Sequence, residues 1–265
     1  MEVGLHDVDG QVLRVGVRRG DGTRPPLLLF NGIGASIELV EPFVAALEDA
    51  EAIVFDVPGV GGSPAPRLPY RPWTLARLSA RLLDRLGHER VDVLGVSWGG
   101  ALAQQFAFQH AARCRRLVLA ATSPGHLMVP GKLSALLKMA TPRRYRDPGY
   151  MRRVAGEIYG GAFRHSPELA FEHLRHVSWS SDYGYYLQLL AGFGWSSLPW
   201  LPFLSQPTLV MAATDDPLVP VANGRILAKL IPNARLVTID DGHLFLITSA
   251  GPSAGLVCDF LNQVQ

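Results

Sequence analysis

Val91-Asp92-Val93-Leu94-Gly95-Val96-Ser97-Trp98-Gly99-Gly100 is the stretch that decides the fold. An apolar, valine-rich strand runs into a glycine-flanked serine, and a helical pattern follows. Gly95-Val96-Ser97-Trp98-Gly99 fits G-x-S-x-G, in which a sharp strand-to-helix turn holds the serine in a strained conformation with its oxygen exposed. Gly95 and Gly99 remove side chains where strand and helix approach closely, and Gly100 keeps the helix start free of bulk. A motif with so few constraints recurs by chance, so its context decides. The context requires a strand before, a helix after, and partners downstream in the order Ser, Asp, His. All of these are present, which favours a nucleophile over an ordinary serine in a glycine-rich turn.

Length and composition bound the rest. At 265 residues and 48% hydrophobic content the chain buries a large core, and one α/β domain with an insertion fits better than two independent domains. A net charge of +2 is too small to suggest nucleic acid. Basic residues cluster at Arg143-Arg144-Tyr145-Arg146 and Arg152-Arg153, which read as solvated surface. The first ten residues are acidic and lack a basic start and an apolar segment, so no secretory signal is expected. No uninterrupted apolar run is long enough for a bilayer. Cys114 and Cys258 lie far apart and imply no disulfide framework, leaving a reducing, cytoplasmic setting as the default.

Taken in order, Gln11 to Arg18 reads as an early antiparallel strand ended by Asp21-Gly22. Leu27 to Phe30 and Ala52 to Phe55 are fully apolar runs of the kind parallel sheets bury on both faces. Between them Glu38 to Glu48 reads as a helix, and Trp73 to Leu86 is a second, stopped by Gly87. Asp56, in a Pro/Gly-rich loop, is read as an anchor of loop geometry. Trp98 to His110 is the helix after the serine, and its positive end points at Ser97. Arg116 to Ala121 is the next strand. From Pro124 to about Ser205 the strand–helix alternation stops; Lys132 to Met139 and Pro167 to His176 read as short helices between prolines and glycines. The expected organisation is therefore a core of 1–123 and 206–265 and a helical cap of 124–205.

Tyr159, Phe163, Trp179, Tyr183, Tyr185, Tyr186, Phe193, Trp195 and Trp200 collect in that cap. Most of them by default pack its small core, while Trp179, Tyr183 and Trp195 are the candidates for touching substrate. His110, His126, His165, His173 and His176 have no acidic or cysteine partner at ligand spacing, so no metal is expected. The sheet resumes at Thr208 to Ala213, a helix of about Asn223 to Leu230 leads to a strand Arg235 to Ile239, and Asp240-Asp241-Gly242-His243 follows. The last helix runs from near Pro252 to Leu261.

Serine at its free pKa is a poor nucleophile and needs a base in hydrogen-bond reach, oriented by a carboxylate. His243 is the only histidine in a loop at the C-terminal edge of the sheet. Asp240 and Asp241 are too close in sequence to His243 to reach its far ring nitrogen comfortably, and no acid follows the strand ending at Thr122. Asp215 and Asp216 remain.

The chain resembles the α/β-hydrolase superfamily throughout and, more narrowly, the intracellular depolymerases of medium-chain-length polyhydroxyalkanoates. The similar segments are Phe30 to Ala35, Phe55 to Ser63, Val96 to Phe106, Val129 to Lys132 and Asp240 to Thr248. Asn31-Gly32-Ile33-Gly34, Val129-Pro130-Gly131-Lys132 and His243-Leu244-Phe245-Leu246-Ile247-Thr248 are the narrower signals. The resemblance implies an α/β-hydrolase fold, a mostly parallel central sheet flanked by helices with an inserted helical cap. Hydrolases of this fold commonly carry Asp-x-x-x-Pro after the strand in question, and Asp216 has that spacing to Pro220, which selects Asp216. Ser97, Asp216 and His243 are then the implied triad. The glycine-rich loop after Phe30 falls where such enzymes place an oxyanion loop, with Asn31 replacing the usual histidine; the expected donors are the backbone N–H groups of Ile33 and Trp98. The implied substrate is a polyester of 3-hydroxyacids, met inside the cell at the surface of storage granules, with no cofactor.

Without the resemblance the residues specify less. A Ser-His-Asp relay under an apolar, aromatic lid points to acyl transfer from a hydrophobic ester to water. A carboxylesterase of small soluble esters, a carbon–carbon bond hydrolase and a non-catalytic member of the fold are the competing readings.

Overall fold

The computed structural model describes residues 1–48, 50–166, 168–169 and 181–263. Its centre is an eight-stranded sheet in the order β1-β2-β4-β3-β5-β6-β7-β8. The strands are β1 (Glu2–Val8), β2 (Gln11–Arg18), β3 (Leu27–Phe30), β4 (Ala52–Phe55), β5 (Val91–Val96), β6 (Cys114–Ala120), β7 (Thr208–Ala213) and β8 (Ala234–Ile239). β1 and β2 form an antiparallel hairpin, β2 lies antiparallel to β4, and the remaining pairs are parallel.

The helices are α1 (Glu41–Ala46), α2 (Pro72–Leu86), α3 (Trp98–Gln109), α4 (Leu133–Met139), α5 (Arg143–Arg146), α6 (Pro148–Tyr159), α7 (Ala162–His165), α8 (Asp182–Gly192), α9 (Val221–Leu230), α10 (Phe245–Thr248) and α11 (Ala250–Asn262). Side chains on a strand alternate between faces, so a run apolar at every position feeds two cores. In β3, Leu28 and Phe30 join Leu82, Phe106 and Leu227 from α2, α3 and α9 on one face. Leu27 and Leu29 join Phe43 and Phe260 from α1 and α11 on the other. The helix expected over Glu38 to Glu48 is instead a 3₁₀ turn, Ile37–Val40, followed by α1. Pro42 explains the break: it lacks an N–H for a helix interior and sits comfortably only in a first turn.

Between β6 and β7 the regular elements among the described residues are helices, with one isolated bridge, Gly125 to Ser196. α6 places Met151, Val154, Ala155 and Ile158 on one buried face, and these pack with Ala135, Tyr159, Phe163 and Leu218 into a separate small cluster. Of the helix expected from Pro167 to His176 only 168–169 are described, and Trp179 lies outside the described residues.

The topology itself marks a site. From β3 the chain moves outward to β4, then returns to place β5 on the other side of β3, so the strand order reverses between β3 and β5. Loops leaving the carboxyl ends of two such strands diverge and leave a crevice. Phe30 pairs with Gly95 across it, so the loop after Phe30 and the turn at Ser97 emerge side by side.

That closeness constrains the glycines. A Cβ on Gly99 would run into the carbonyls of Phe30 and Asn31, and one on Gly95 would meet the Gly99 carbonyl and Ala103. Gly99→Ala is therefore expected to destabilise the protein by at least the ~1–3 kcal/mol of an overpacked core. Thermal unfolding measures it, and a melting temperature equal to the parent's would show that the turn has slack.

Candidate active site

Ser97 has φ 55 and ψ −119, a left-handed conformation that non-glycine residues rarely adopt. Three hydrogen bonds hold it there: its N–H donates to the Ala120 carbonyl at 2.9 Å, and its own carbonyl accepts from the Thr122 hydroxyl at 2.7 Å and the Gly100 N–H at 3.0 Å. The strain is thus borne by β6 and α3, and the side chain is left projecting at the crevice.

His243 Nε2 lies 2.9 Å from Ser97 Oγ, and His243 Nδ1 lies 2.6 Å from Asp216 Oδ2. The other Asp216 oxygen accepts from the N–H groups of Leu218 and Val219 at 2.8 and 2.9 Å, which fixes the carboxylate's rotation. His243 N–H donates to the Tyr159 carbonyl at 2.7 Å, anchoring the histidine loop to the inserted segment. Both His243 and Asp216 are buried. In this arrangement the imidazole can take the serine proton while the carboxylate holds the opposite ring nitrogen.

The other acids near this edge are committed elsewhere. Asp215 pairs with Arg164 at 2.5 Å and accepts from Gly161 N–H at 2.8 Å; the Arg164 hydrogen bond in particular holds its carboxyl below the ordinary value. Asp240 accepts from Thr214. Burial pushes the Asp241 carboxyl up, yet hydrogen bonds from Thr248, Ala162, Gly242 and Ser249 outweigh it and leave the group below its ordinary value. Asp56 accepts from Ile37 and Gly62 N–H groups, both at 2.8 Å, and from Arg14, so it braces the loops around β4.

The loop after β3 is tied off by its own side chain. Asn31 donates to the Ser36 carbonyl at 2.8 Å and accepts from Gly32 N–H at 2.8 Å. The peptide between Ile33 and Gly34 is then gripped on both sides: Tyr145 Oη donates to the Ile33 carbonyl at 2.9 Å, and Gly34 N–H donates to Gln188 Oε1 at 2.7 Å. Gln188 also accepts, on its backbone carbonyl, the indole N–H of Trp98 at 2.9 Å. Among the described residues, neither the Ile33 nor the Trp98 backbone N–H has a hydrogen-bond acceptor. Two such donors beside a nucleophile are what an oxyanion hole requires.

Ser97 and His243 open onto a pocket whose walls include Ile33, Met139, Arg144, Tyr145, Tyr159 and Leu246. Of the aromatic residues expected along a substrate channel, Tyr159 reaches this wall. Trp195 does not: it is buried, its indole N–H donates to Gln105 Oε1 at 2.9 Å and its ring packs edge-on to Trp200 at 5.9 Å, so it fastens the inserted segment to α3. Tyr183 stands exposed on α8, outside the pocket wall. Arg144 corrects a second expectation. Its place in a basic run predicts solvated surface, yet it is 1% exposed, stacked against its sequence neighbour Tyr145 and against Tyr185, 41 residues on. Among the described residues no group of three or more His, Cys, Asp or Glu side chains is gathered for a metal ion, and no helix is long and apolar enough to cross a membrane.

The family description "alpha/beta hydrolase fold" matches residues 25–250. The chain belongs to the α/β-hydrolase family. A poly(3-hydroxyalkanoate) depolymerase of Ectopseudomonas oleovorans is 56% identical to this hydrolase over 258 residues, 97% of this chain and 91% of that protein. The 3-oxoadipate enol-lactonase 2 of Acinetobacter baylyi is 26% identical over 85% of this chain and 84% of its own length. Among solved structures, the enol-lactonase from Burkholderia xenovorans LB400 superposes on the hydrolase with a TM-score of 0.83 at 27% identity, covering 98% of this chain and all (100%) of that one.

Proposed function

We propose that this ester-cleaving α/β hydrolase acts on a poly(3-hydroxyalkanoate) of medium side-chain length, with Ser97 as nucleophile, His243 as general base and acid, and Asp216 as the carboxylate that orients it. One observation carries the substrate class: 56% identity, over 97% of the chain, to a poly(3-hydroxyalkanoate) depolymerase. The chemistry rests on the chain of hydrogen bonds from Ser97 through His243 to Asp216. Ser97 Oγ attacks the ester carbonyl as His243 takes its proton; the oxyanion is met by the Ile33 and Trp98 N–H groups; the alcohol leaves with the proton from His243. Water, activated by the same imidazole, then releases the acid and restores Ser97.

The segment 124–205 serves in this reading as a cap that meets the polymer inside the cell, at a granule surface. What supports this is a set of apolar side chains left in water: Leu133 and Leu137 of α4 are 70% and 64% exposed, and Phe193 after α8 is 69% exposed. Leu133, Leu136 and Leu137 recur at helical spacing, so the signal was present in the sequence but was overshadowed by the aromatic residues. Each large side chain that leaves water on docking contributes up to ~1.5–3 kcal/mol. A Leu133→Ser, Leu137→Ser double variant is expected to bind polymer particles at least about tenfold more weakly while its turnover of a soluble ester stays near the parent's. Equal binding by both proteins would remove α4 from the docking face.

The substrate class itself is tested by incubating the protein with an amorphous suspension of poly(3-hydroxyoctanoate) and, separately, with p-nitrophenyl esters. Release of 3-hydroxyoctanoate or its oligomers is the expected result. Turnover of the soluble esters alone would make the protein a carboxylesterase.

A further inference from the structure

The pocket that holds Ser97 also holds a guanidinium, Arg144, whose hydrogen-bond partners are all neutral. Arg144 donates from Nε to Tyr159 Oη at 3.0 Å, from Nη1 to Tyr185 Oη at 2.6 Å and from Nη2 to the Ile33 carbonyl at 3.5 Å. Its guanidinium carbon lies 4.2 Å from the Tyr145 ring centre and 5.1 Å from that of Tyr185. All of these partners are neutral. The neighbouring arginines behave differently: Arg143 pairs with Asp147 at 3.3 Å and Arg146 with Asp182 at 2.7 Å, both at the surface. The buried member of the run is thus the one without a carboxylate among the described residues.

A buried cation is costly unless an anion answers it, and a guanidinium does not escape the cost by losing its proton. Phenol hydroxyls and aromatic faces soften the cost without neutralising the charge. The long Nη2 contact also leaves that end of the fork only weakly engaged. Arg144 belongs to the wall of the same pocket as Ser97 and His243, and it touches the carbonyl of Ile33, the residue whose N–H is assigned to the oxyanion.

We propose that Arg144 receives the free carboxylate at the acid end of a polyester chain, so that Ser97 cleaves the ester one unit in from that end. The inference rests on the polyester reading and narrows it. The interior of such a polymer is uncharged; the terminal unit alone carries an anion, three bonds from the ester oxygen it supplies. With that carboxylate on Arg144, Ser97 Oγ adds to the preceding carbonyl, and the bond from that carbonyl to the terminal unit's oxygen breaks. The oxygen takes the proton held by His243, and the terminal unit leaves as a 3-hydroxycarboxylate. Water then cleaves the ester on Ser97, giving a chain one unit shorter with a new terminal carboxylate. Each cycle recreates the group that Arg144 recognises.

The test compares the linear dimer of 3-hydroxyoctanoate as free acid with its methyl ester at the terminal carboxyl, two substrates with the same internal scissile bond. The parent protein is expected to favour the free acid in kcat/KM on the order of tenfold or more, the equivalent of one charge-assisted pair. Arg144→Gln is expected to bring the ratio to about one, and Arg144→Lys to restore part of it. Because Arg144 also supports Ile33, a second measurement avoids the variants: 3-hydroxyoctanoate is expected to inhibit the parent competitively and its methyl ester to inhibit far less. Equal turnover of the two dimers by the parent, with equal inhibition, would overturn the assignment and leave the polyester reading standing. Failure to cleave either dimer, with other esters still hydrolysed, would overturn both.

Discussion

Ser97→Ala is expected to lower kcat for ester hydrolysis by about 10⁶-fold, the loss typical when the nucleophile of such a triad is removed. The fold should survive it. The turn at Ser97 is held by backbone groups and by Thr122, none of which involves the serine hydroxyl. Alanine suffers the same backbone strain at φ 55 that serine already tolerates. Steady-state turnover of a soluble ester, read with the thermal unfolding curve, separates the two effects. A folded variant that keeps a tenth of the activity would show that another group attacks the ester. Covalent labelling by an organophosphonate, present in the parent and absent in the variant, gives an independent check.

Asp216→Asn is expected to cost on the order of 10⁴-fold in kcat, and Asp215→Asn only a few-fold. The residues are adjacent in sequence but face different partners. Asp216 is buried and binds His243 Nδ1, so an amide in its place presents the wrong hydrogen-bonding partner and no charge to the imidazolium. Asp215 is partly exposed and pairs with Arg164. Surface pairs of this kind contribute little, so its loss should be felt as a small change in stability. If Asp215→Asn proved the severe change, the orienting carboxylate would be misassigned.

What could be read from the sequence follows from how locally each signal is written. β3 and β4 are apolar at every position, and β5 at all but Asp92, because they are buried on both faces, and they were legible for that reason. β1 was not: Glu2–Val8 is an edge strand with charged residues and mixed exposure, and it lacks the alternation that marks a half-buried strand. α6 carried a readable stripe at Met151, Val154, Ala155 and Ile158, hidden behind Pro148 and two arginines. Strand order brings Ser97, His243 and an acid at Asp215 or Asp216 to one edge, since consecutive parallel strands deliver their loops there, and the family spacing to Pro220 is what singles out Asp216. Arg144 could not be separated from Arg143 and Arg146. Its burial depends on Tyr159, on Tyr185 and on the loop at Ile33, 111 residues away in the chain. The grip of Gln188 on Gly34 spans 154 residues and leaves no local trace at either end.

That grip ties the chemistry to the position of α8. The Gln188 side chain holds the peptide that follows Ile33, and its backbone holds the indole of Trp98, so both backbone donors assigned to the oxyanion are steadied by one residue of the inserted segment. Displacing α8 would remove the Gln188 contact from both, leaving the Ile33 peptide to Tyr145 and the Trp98 backbone to the start of α3. By linkage the dependence runs both ways: whatever fills the hole with negative charge must also favour the seated position of α8. A phosphonate adduct on Ser97 should therefore slow amide hydrogen exchange along Asp182–Gly192 more than along helices remote from the site such as α11. On the proposed assignment of Ile33 and Trp98, charge developing on the ester is best met while α8 is seated.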